Sequence, residues 1–455
     1  MQLSSINPAT GETIQLYNEH SDREIQQKLG AADQAWSEWR RVPFAKRATY
    51  LKSAAAILRN RKEEYGKVMA LEMGKPFAQG IAEAEKCAWV CDYYAENAEK
   101  FLSPEIVPTD ASKSFVTFQP LGILLAIMPW NFPFWQVFRA AAPALMAGNA
   151  VVLKHASNVS GCALTIEKVF RDAELPEGMF TTFLLTSSRV NALIEHPFVK
   201  AVTITGSTSA GKAVAAKAGA TLKKTVLELG GSDAYVVLED ANLEHTVATC
   251  VASRLINNGE SCIAAKRFIV VESLKKKFEE MFVEKMKAQK VGDPLDPTVT
   301  VGPMARRDLR DELHTQVRRS IEKGATLLCG GEIPARKGAF YPPTVLTNVK
   351  KGMPAYDEEL FGPVAAIIGA KDEKDAIRLA NDSEFGLGAA VFTRDIAKGQ
   401  RIAAEELDAG CCFVNGMVKS DPRLPFGGIK ESGYGRELSL FGIREFVNVK
   451  TVWVS

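Results

Sequence analysis

One of the eight cysteines, Cys262, lies in a segment where its thiol could act as a nucleophile. It belongs to the polar segment NNGESCIAAKRFIV (257–270), where a glycine-containing turn leads into a predicted strand. A thiolate is a strong nucleophile, but a free thiol with a pKa of about 8.5 needs nearby amides or cations to ionise at neutral pH. The other cysteines lie within helix or strand patterns, where inert burial is usual. Cys87 and Cys91 share a helical spacing that could ligate metal, but no histidine or further cysteine lies near them in sequence, so no metal site is predicted.

Two further segments carry groups that could assist a nucleophile. Glu228 opens ELGG (228–231) inside an apolar run, where burial would raise its pKa toward that of a general base; an exposed glutamate at a strand edge is the alternative. PWNFP (129–133) follows a predicted parallel strand, at the end where open α/β sheets bind ligands. Asn131 could donate its amide to an oxyanion there. The alternative is a structural turn with a packed Trp130 and a self-capping asparagine.

A glycine-containing loop, ITGSTSAGKAVA (204–215), follows another predicted strand and opens a helix. Its backbone amides at Gly206 and Ser207 could hold a phosphate at the helix N-terminus. The spacing up to Lys212 resembles that of a nucleotide-triphosphate loop, but Ala213 stands where such a loop needs Ser or Thr to bind magnesium. Ala213 therefore argues against a phosphotransferase, although a phosphate contact by this loop stays plausible.

The elements that must position these segments alternate between strands and helices. Predicted strands lie at 121–128, 150–154, 179–185, 201–205, 235–238, 266–271, 365–370 and 389–393, and predicted helices at 46–64, 76–100, 134–147, 158–173, 209–219 and 273–289. Such alternation predicts an α/β fold: a doubly wound parallel-sheet dinucleotide-binding domain, followed by a second α/β catalytic domain.

The remaining segments predict a small β arm. PEIVPTDASKSFVTFQP (104–120) contains three prolines and ends in an alternating pattern, and the tail VNVKTVWVS (447–455) also alternates. They are interpreted either as strands added to a partner's sheet or as two intramolecular edge strands. The predicted division is 1–103 with 121–230 for dinucleotide binding, 231–430 for catalysis, and 104–120 with 431–455 for the oligomerisation arm and tail.

The bulk composition excludes several classes of function. The chain has 455 residues, 46% hydrophobic and 24% charged, with 56 basic and 54 acidic side chains, so no nucleic-acid partner is expected. Residues 120–138 carry no charge, but Pro129, Asn131 and Pro133 would break a membrane-spanning helix, so no membrane partner is expected. The amino terminus lacks a secretory pattern and the cysteines form no disulfide framework, so the expected location is the cytoplasm.

The motifs occur together in one order: PWNFP, a strand-end Lys154, ITGS, ELGG, the Gly-x-x-Cys turn, EELFGPV (358–364) and PFGGIKESGYGRE (425–437). This set resembles the aldehyde dehydrogenase superfamily across essentially the whole chain. The resemblance implies that Cys262 attacks an aldehyde carbonyl while Asn131 holds the oxyanion. It also implies that Glu228 activates the water that hydrolyses the resulting thioester, and that Glu437 helps to relay the proton.

The same resemblance implies NAD or NADP as cofactor. The residues it assigns to the cofactor are Trp130, Lys154, Ser157, Gly206, Ser207, Leu229, Glu359 and Phe361. Ser157 stands where strictly NAD-using members often carry a glutamate that would repel a 2′-phosphate, so NADP should be accepted and NAD is not excluded.

Within the superfamily the chain resembles bacterial succinate semialdehyde dehydrogenases most. Arg139 and Ser420 match positions that bind a substrate carboxylate, and they predict oxidation of succinate semialdehyde to succinate. Ile256 replaces an arginine of many such enzymes, and Arg254 is a candidate substitute that nothing in the sequence places. Ala264 leaves no second cysteine beside the nucleophile for a local disulfide. A broad-specificity aliphatic aldehyde dehydrogenase is the alternative, and a homodimer or homotetramer is expected.

Overall fold

The computed structural model describes residues 2–455. Its strands are β1 (Gln2–Ile6), β2 (Thr13–Asn18), β3 (Glu105–Ile106), β4 (Lys113–Pro120), β5 (Ile123–Met128), β6 (Ala150–His155), β7 (Phe180–Phe183), β8 (Val199–Thr205), β9 (Lys224–Glu228), β10 (Ala234–Val237), β11 (Arg267–Val271), β12 (Thr326–Cys329), β13 (Thr344–Thr347), β14 (Val364–Ala370), β15 (Phe385–Gly386), β16 (Gly388–Phe392), β17 (Cys411–Val414), β18 (Ile429–Lys430), β19 (Gly433–Tyr434) and β20 (Val447–Val454).

Helices alternate with these strands and cover the sheets. They are α1 (Asp22–Trp39), α2 (Phe44–Asn60), α3 (Lys62–Met73), α4 (Phe77–Phe101), α5 (Trp135–Ala147), α6 (Ser160–Asp172), α7 (Val190–Glu195), α8 (Thr208–Ala220), α9 (Leu243–Leu255), α10 (Glu272–Lys287), α11 (Arg307–Glu322), α12 (Pro354–Asp357), α13 (Glu373–Asn381), α14 (Ile396–Arg401) and α15 (Ser439–Glu445).

The first large sheet has the order β19-β9-β8-β5-β6-β7, in which every strand but β19 runs parallel to its neighbours. β5 and β6 are buried at every position, as expected for parallel strands that are covered on both faces. The carboxyl ends of β9, β8 and β5 therefore lie side by side. This arrangement brings together the ELGG segment, the glycine-containing loop and PWNFP, which the sequence separates by up to a hundred residues.

The second large sheet has the order β12-β13-β14-β11-β10-β16-β17, parallel except for β12. Cys262 lies directly before β11, near the centre of this sheet. The predicted fold class, with two parallel-sheet units, is confirmed. The predicted division into a dinucleotide-binding domain and a catalytic domain remains a proposal, and the presence of two separate sheets supports it.

The arm forms a small antiparallel sheet of order β20-β4-β3, in which β20 pairs with β4 along its whole length. Arm and tail thus pair with each other within one chain. Gly433–Tyr434, which the sequence assigned to the tail segment, pairs instead with β9 at the edge of the first sheet. Among residues 2–455, no helix has the length and apolar character that a membrane span requires.

Most predicted elements occur within a few residues of their expected bounds, with two instructive differences. The single helix expected over 46–64 is divided at Arg61, because α2 ends at Asn60 and α3 begins at Lys62. Helix α1 was not predicted, although its start carried a readable signal. Ser21 and Glu24 form a capping box, in which each side chain accepts a hydrogen bond from the other residue's backbone amide.

Candidate functional site

The turn that carries Cys262 has a backbone conformation that few residue types adopt. Asn257, Asn258 and Gly259 have positive φ values of 54°, 60° and 78°. A Cβ at position 259 would lie 2.3 Å from the carbonyl oxygen of Gly362, so a side chain is sterically excluded there. The turn therefore packs directly against the segment after α12 and presents Cys262 at the start of β11.

Lys266 fixes the shape of this turn from inside. It is fully buried, and its Nζ donates hydrogen bonds to the carbonyl oxygens of Ser261, Cys262 and Ala264 at 2.9, 2.8 and 3.1 Å. It also lies 3.4 Å from Oε1 of Glu359. Three convergent carbonyls and a carboxylate offset the cost of burying the ammonium. The sequence prediction missed this residue, although a lysine at the start of an apolar strand is a buried charge in need of partners.

Asn131 is joined to the same turn by its side chain and its backbone. Its Nδ2 donates to the carbonyl of Glu260 at 3.1 Å, and its own carbonyl accepts from Nδ2 of Asn257 at 2.7 Å. An asparagine amide has two N–H donors, so one remains for a further acceptor. The PWNFP turn and the cysteine turn therefore form one unit, with a donor beside the thiol.

Two cavities open next to this unit, and Cys262 lines both. The first cavity, of about 220 Å³, lies between α4, α5, the cysteine turn and residues 418–426. The second cavity, of about 340 Å³, lies among the ends of β5, β8 and β9, helix α11 and residues 359–361. Cys262 is thus the residue that the walls of the two cavities share.

The second cavity contains six of the eight residues assigned to the cofactor. These are Trp130, Gly206, Ser207, Leu229, Glu359 and Phe361. Ser207 caps α8 by accepting from the backbone amide of Ala210, so the positive end of this helix lies at the cavity. A phosphate fits such a helix start, and the cavity extends from there to Cys262, so the residues present fit a dinucleotide.

The other two residues assigned to the cofactor, Lys154 and Ser157, are not among the described residues that line the second cavity. Lys154 ends β6 and is buried, which lowers the pKa of its ammonium. Ser157 is exposed and lines a separate cleft together with Arg306 and Arg307. Lys212, the residue that would have served a phosphotransferase, pairs with Glu431 at 2.6 Å and is two-thirds exposed, outside the second cavity.

Glu228, Glu437 and Arg139 form a buried charged cluster behind the first cavity. Glu437 is ion-paired with Nε of Arg139, whose Nη2 donates to Thr205 at 3.3 Å. Glu228 has no hydrogen-bond partner for either carboxyl oxygen among residues 2–455, and burial together with Glu437 raises its pKa well above the ordinary value. Its Oε1 lies 2.7 Å from where a Cβ on Gly427 would stand, so glycine is needed there.

The structure does not place Glu228 against Cys262, because Glu228 lines neither cavity as the described residues define them. The cysteine itself is half-buried, and burial raises the pKa of its thiol to about 12 despite the opposing charges of Arg139 and Lys266. In this conformation burial therefore favours the neutral thiol of Cys262 and shifts the carboxyl group of Glu228 toward its protonated form.

The residues expected to bind substrate lie together in the first cavity. Arg139, Ser420 and Ile256 all line it. Ile256, which replaces the arginine of many succinate semialdehyde dehydrogenases, gives the cavity an apolar wall at this position. Arg254 does not replace that arginine, because it is fully buried outside the cavity and donates to the carbonyl of Gly259 at 2.6 Å. Lys86, which was not predicted, lines the same cavity.

Comparison with known proteins supports the arrangement. The Aldehyde dehydrogenase family model matches residues 1–452. A probable NADP(+) succinate-semialdehyde dehydrogenase of Synechocystis sp. is 50% identical over the whole of both chains. The NAD(P)+ succinate semialdehyde dehydrogenase Sad of Escherichia coli K12 is 49% identical over 99% of this chain and 97% of its own. A crystal structure of succinic semialdehyde dehydrogenase from Streptococcus pyogenes with NADP+ superposes with a TM-score of 0.97, at 36% identity over 99% of each chain. The chain belongs to the aldehyde dehydrogenase family.

Proposed function

We propose that this chain oxidises an aldehyde to a carboxylic acid with NAD or NADP, and that succinate semialdehyde is its substrate. One observation carries the proposal: Cys262 is shared by two cavities, one of which fits a dinucleotide while the other has room for a short aldehyde. A thiol between the two is placed to attack a carbonyl in the first cavity within reach of a cofactor in the second.

In the proposed reaction, Cys262 gives its proton to water in the first cavity and adds as a thiolate to the aldehyde carbon. The free N–H of Asn131 and the backbone amide of Cys262 then donate to the oxyanion. A nicotinamide dinucleotide held by the residues of the second cavity would supply an acceptor for the hydride of this carbon, and loss of the hydride would leave a thioester on the sulfur. Because the second cavity reaches Cys262, the reacting carbon and the cofactor can meet at its wall.

Glu228 is proposed as the base for the second half of the reaction. Its deprotonated form takes a proton from water, and the resulting hydroxide attacks the thioester carbon, which breaks the carbon–sulfur bond and releases the carboxylic acid and the Cys262 thiolate. The carboxyl group must first rotate toward the first cavity, since it points at Gly427 in this conformation. Glu437 receives the proton in the proposed relay, and its pairing with Arg139 keeps it close to Glu228.

The proposed cofactor range rests on the residue that follows β6. Ser157 carries no charge that would repel a 2′-phosphate, and Lys154 supplies a nearby cation. Relatives named for NADP(+) and for NAD(P)+, together with a neighbour solved with NADP+, support acceptance of NADP. We therefore propose that NADP is used and that NAD is accepted as well.

We also propose that the chain assembles as a homodimer or homotetramer through the β20-β4-β3 sheet. This sheet leaves apolar side chains exposed on its edge strand, Val449 by 60%, Trp453 by 50% and Val454 by 44%. An exposed edge strand with such residues is costly in a monomer and is commonly covered by a second copy.

The test of the enzymatic proposal is a steady-state panel of aldehydes with and without a distal carboxylate, run with NAD and with NADP. We expect reduced cofactor to form, with kcat/KM at least about tenfold higher for succinate semialdehyde than for butanal, as one charge-assisted contact provides. Absence of cofactor reduction with every aldehyde contradicts the whole proposal. Equal kcat/KM for the two substrates contradicts only the choice of substrate and favours a broad aliphatic specificity.

A further inference from the structure

Lys86 is a cation that faces the first cavity from helix α4. Gln79, Ala82, Glu83 and Lys86 all line this cavity, at the spacing of one helix face. Its Nζ donates to Oγ of Ser420 at 2.7 Å and lies 4.2 Å from the ring centroid of Trp135. The ammonium is therefore held at the cavity wall beside a hydroxyl that the sequence had assigned to the substrate.

No carboxylate lies within 4.0 Å of the Lys86 ammonium among residues 2–455, because its acidic neighbours have other partners. Glu83, one turn away, is ion-paired with the buried Lys75. The second oxygen of Glu83 accepts from the backbone amides of Phe134 and Trp135, each at 2.9 Å, and so caps the start of α5. This carboxylate is fully engaged and does not neutralise Lys86.

Asp421, the residue after Ser420, is engaged as well. Asp421 forms a two-pronged pair with Arg423, at 2.9 and 2.7 Å. Lys86 is thus a half-buried cation without an ion-pair partner among residues 2–455, and burying such a charge is costly unless an anion pairs with it. An anion that entered the first cavity would meet both this ammonium and the hydroxyl of Ser420.

Arg139, the cation expected from the sequence, is in a different position. Its Nε pairs with Glu437, its Nη2 donates to Thr205, and its guanidinium lies 4.8 Å from the ring centroid of Phe426. It is 2% exposed. These contacts commit much of Arg139 to the protein, whereas Lys86 keeps donors free on the cavity side.

We propose that Lys86, together with Ser420, binds the distal carboxylate of the substrate and determines the selectivity for carboxylate-bearing aldehydes. The inference rests on the proposed function and deepens it by naming the specificity residue. It also explains how the chain can lack an arginine at position 256, because Lys86 on α4 supplies a second cation to the same cavity.

The charges around Lys86 give the proposal a pH signature. Burial and Arg139 lower the pKa of its ammonium to about 8, while Glu83, Cys87 and Asp421 oppose this shift. The exposed Lys419 also lines the cavity. Because only the protonated amine attracts a carboxylate, KM for succinate semialdehyde should rise as the pH increases through about 8. KM for butanal, which has no charge, should not follow this dependence.

The experiment compares Lys86→Met, Lys86→Arg and wild type on succinate semialdehyde and on butanal, with a saturating cofactor. A matched control is Lys100→Met, the same change at an exposed position of the same helix. We expect Lys86→Met to raise KM for succinate semialdehyde about tenfold to a hundredfold, the worth of a charge-assisted hydrogen bond. KM and kcat for butanal should change less than about threefold, Lys86→Arg should recover most of the affinity, and Lys100→Met should match wild type.

The outcomes separate this inference from the proposed function. If wild type itself does not prefer succinate semialdehyde, the proposed substrate is wrong. If wild type has that preference and Lys86→Met changes both KM values equally, or neither, the role of Lys86 is overturned and the proposed function stands. Undiminished turnover of butanal shows that the variant is folded. Retention of the pH dependence of KM in Lys86→Met would also overturn the inference.

Discussion

Replacing Arg139 by Met is the most informative perturbation of the buried charged cluster. Methionine fills much of the space of the arginine stem but removes the only cation that forms an ion pair with Glu437 among residues 2–455. Burial already raises the pKa of Glu437, and Arg139 is the group that opposes this rise. In Arg139→Met this opposing charge is gone, so we expect the carboxyl group of Glu437 to be protonated in the folded protein.

The magnitude follows from the pH at which stability is measured. The carboxyl group of Glu437 has an ordinary pKa of 4.5, which it regains in the unfolded chain. At pH 7 the folded state must hold a proton about 2.5 units above that value, which costs about 3.4 kcal/mol at about 1.36 kcal/mol per unit. At pH 5 the same calculation gives about 0.7 kcal/mol. The penalty therefore grows with pH, because the raised pKa favours the folded state only where the unfolded chain is also protonated.

The assay is denaturant unfolding of the intact protein at about pH 5 and about pH 7, the interval over which the linkage operates. We expect Arg139→Met to lose up to about 3 kcal/mol at the higher pH and about 1 kcal/mol at the lower. The control is Arg139→Met with Glu437→Gln, which removes the orphaned charge and should recover most of the loss at pH 7. Equal losses at the two pH values, or no recovery in the double variant, would refute the reasoning.

Three further outcomes are expected. Glu228→Gln should keep the first burst of reduced cofactor but slow steady-state turnover by about a hundredfold to ten-thousandfold, because the proposed base acts only on the thioester. Stopped-flow absorbance measures both phases, and an equal loss of both contradicts this expectation. Alkylation of Cys262 by iodoacetamide without cofactor should accelerate about tenfold per pH unit between about pH 7 and about pH 9, since its pKa of about 12 keeps the thiolate scarce; a plateau in that range, measured by peptide mass spectrometry, is the contrary result. Val449→Asp with Trp453→Asp should lower the mass measured by light scattering, whereas Ile396→Asp, an exposed apolar residue on α14, should not; a wild-type monomer would contradict the proposed assembly.

The fold could be predicted from sequence, and Cys262 could be proposed as the nucleophile, because both signals are local. Strand and helix periods over ten to twenty residues predicted both parallel-sheet units. Cys262, Asn131 and Glu228 lie in short motifs whose order along the chain carried the resemblance, and the family assignment is confirmed. The cofactor residues at Gly206 and Ser207 followed in the same way, since a loop that joins a strand to a helix has its own pattern.

The electrostatic partners of these residues could not be predicted, because they depend on contacts between distant segments. Lys86 meets Ser420 across 334 positions of the chain, and Arg139 meets Glu437 across nearly three hundred. Whether a cation faces a cavity or a buried carboxylate is decided by the rotation of α4 and α5 against the sheets, to which residues all along both helices contribute. Burial and neighbouring charge set protonation, so the thiol state of Cys262 was also decided by the tertiary structure. The sequence by itself determined which residues are candidates for the reaction. The packing of the two parallel-sheet units decided which charged groups lie beside them.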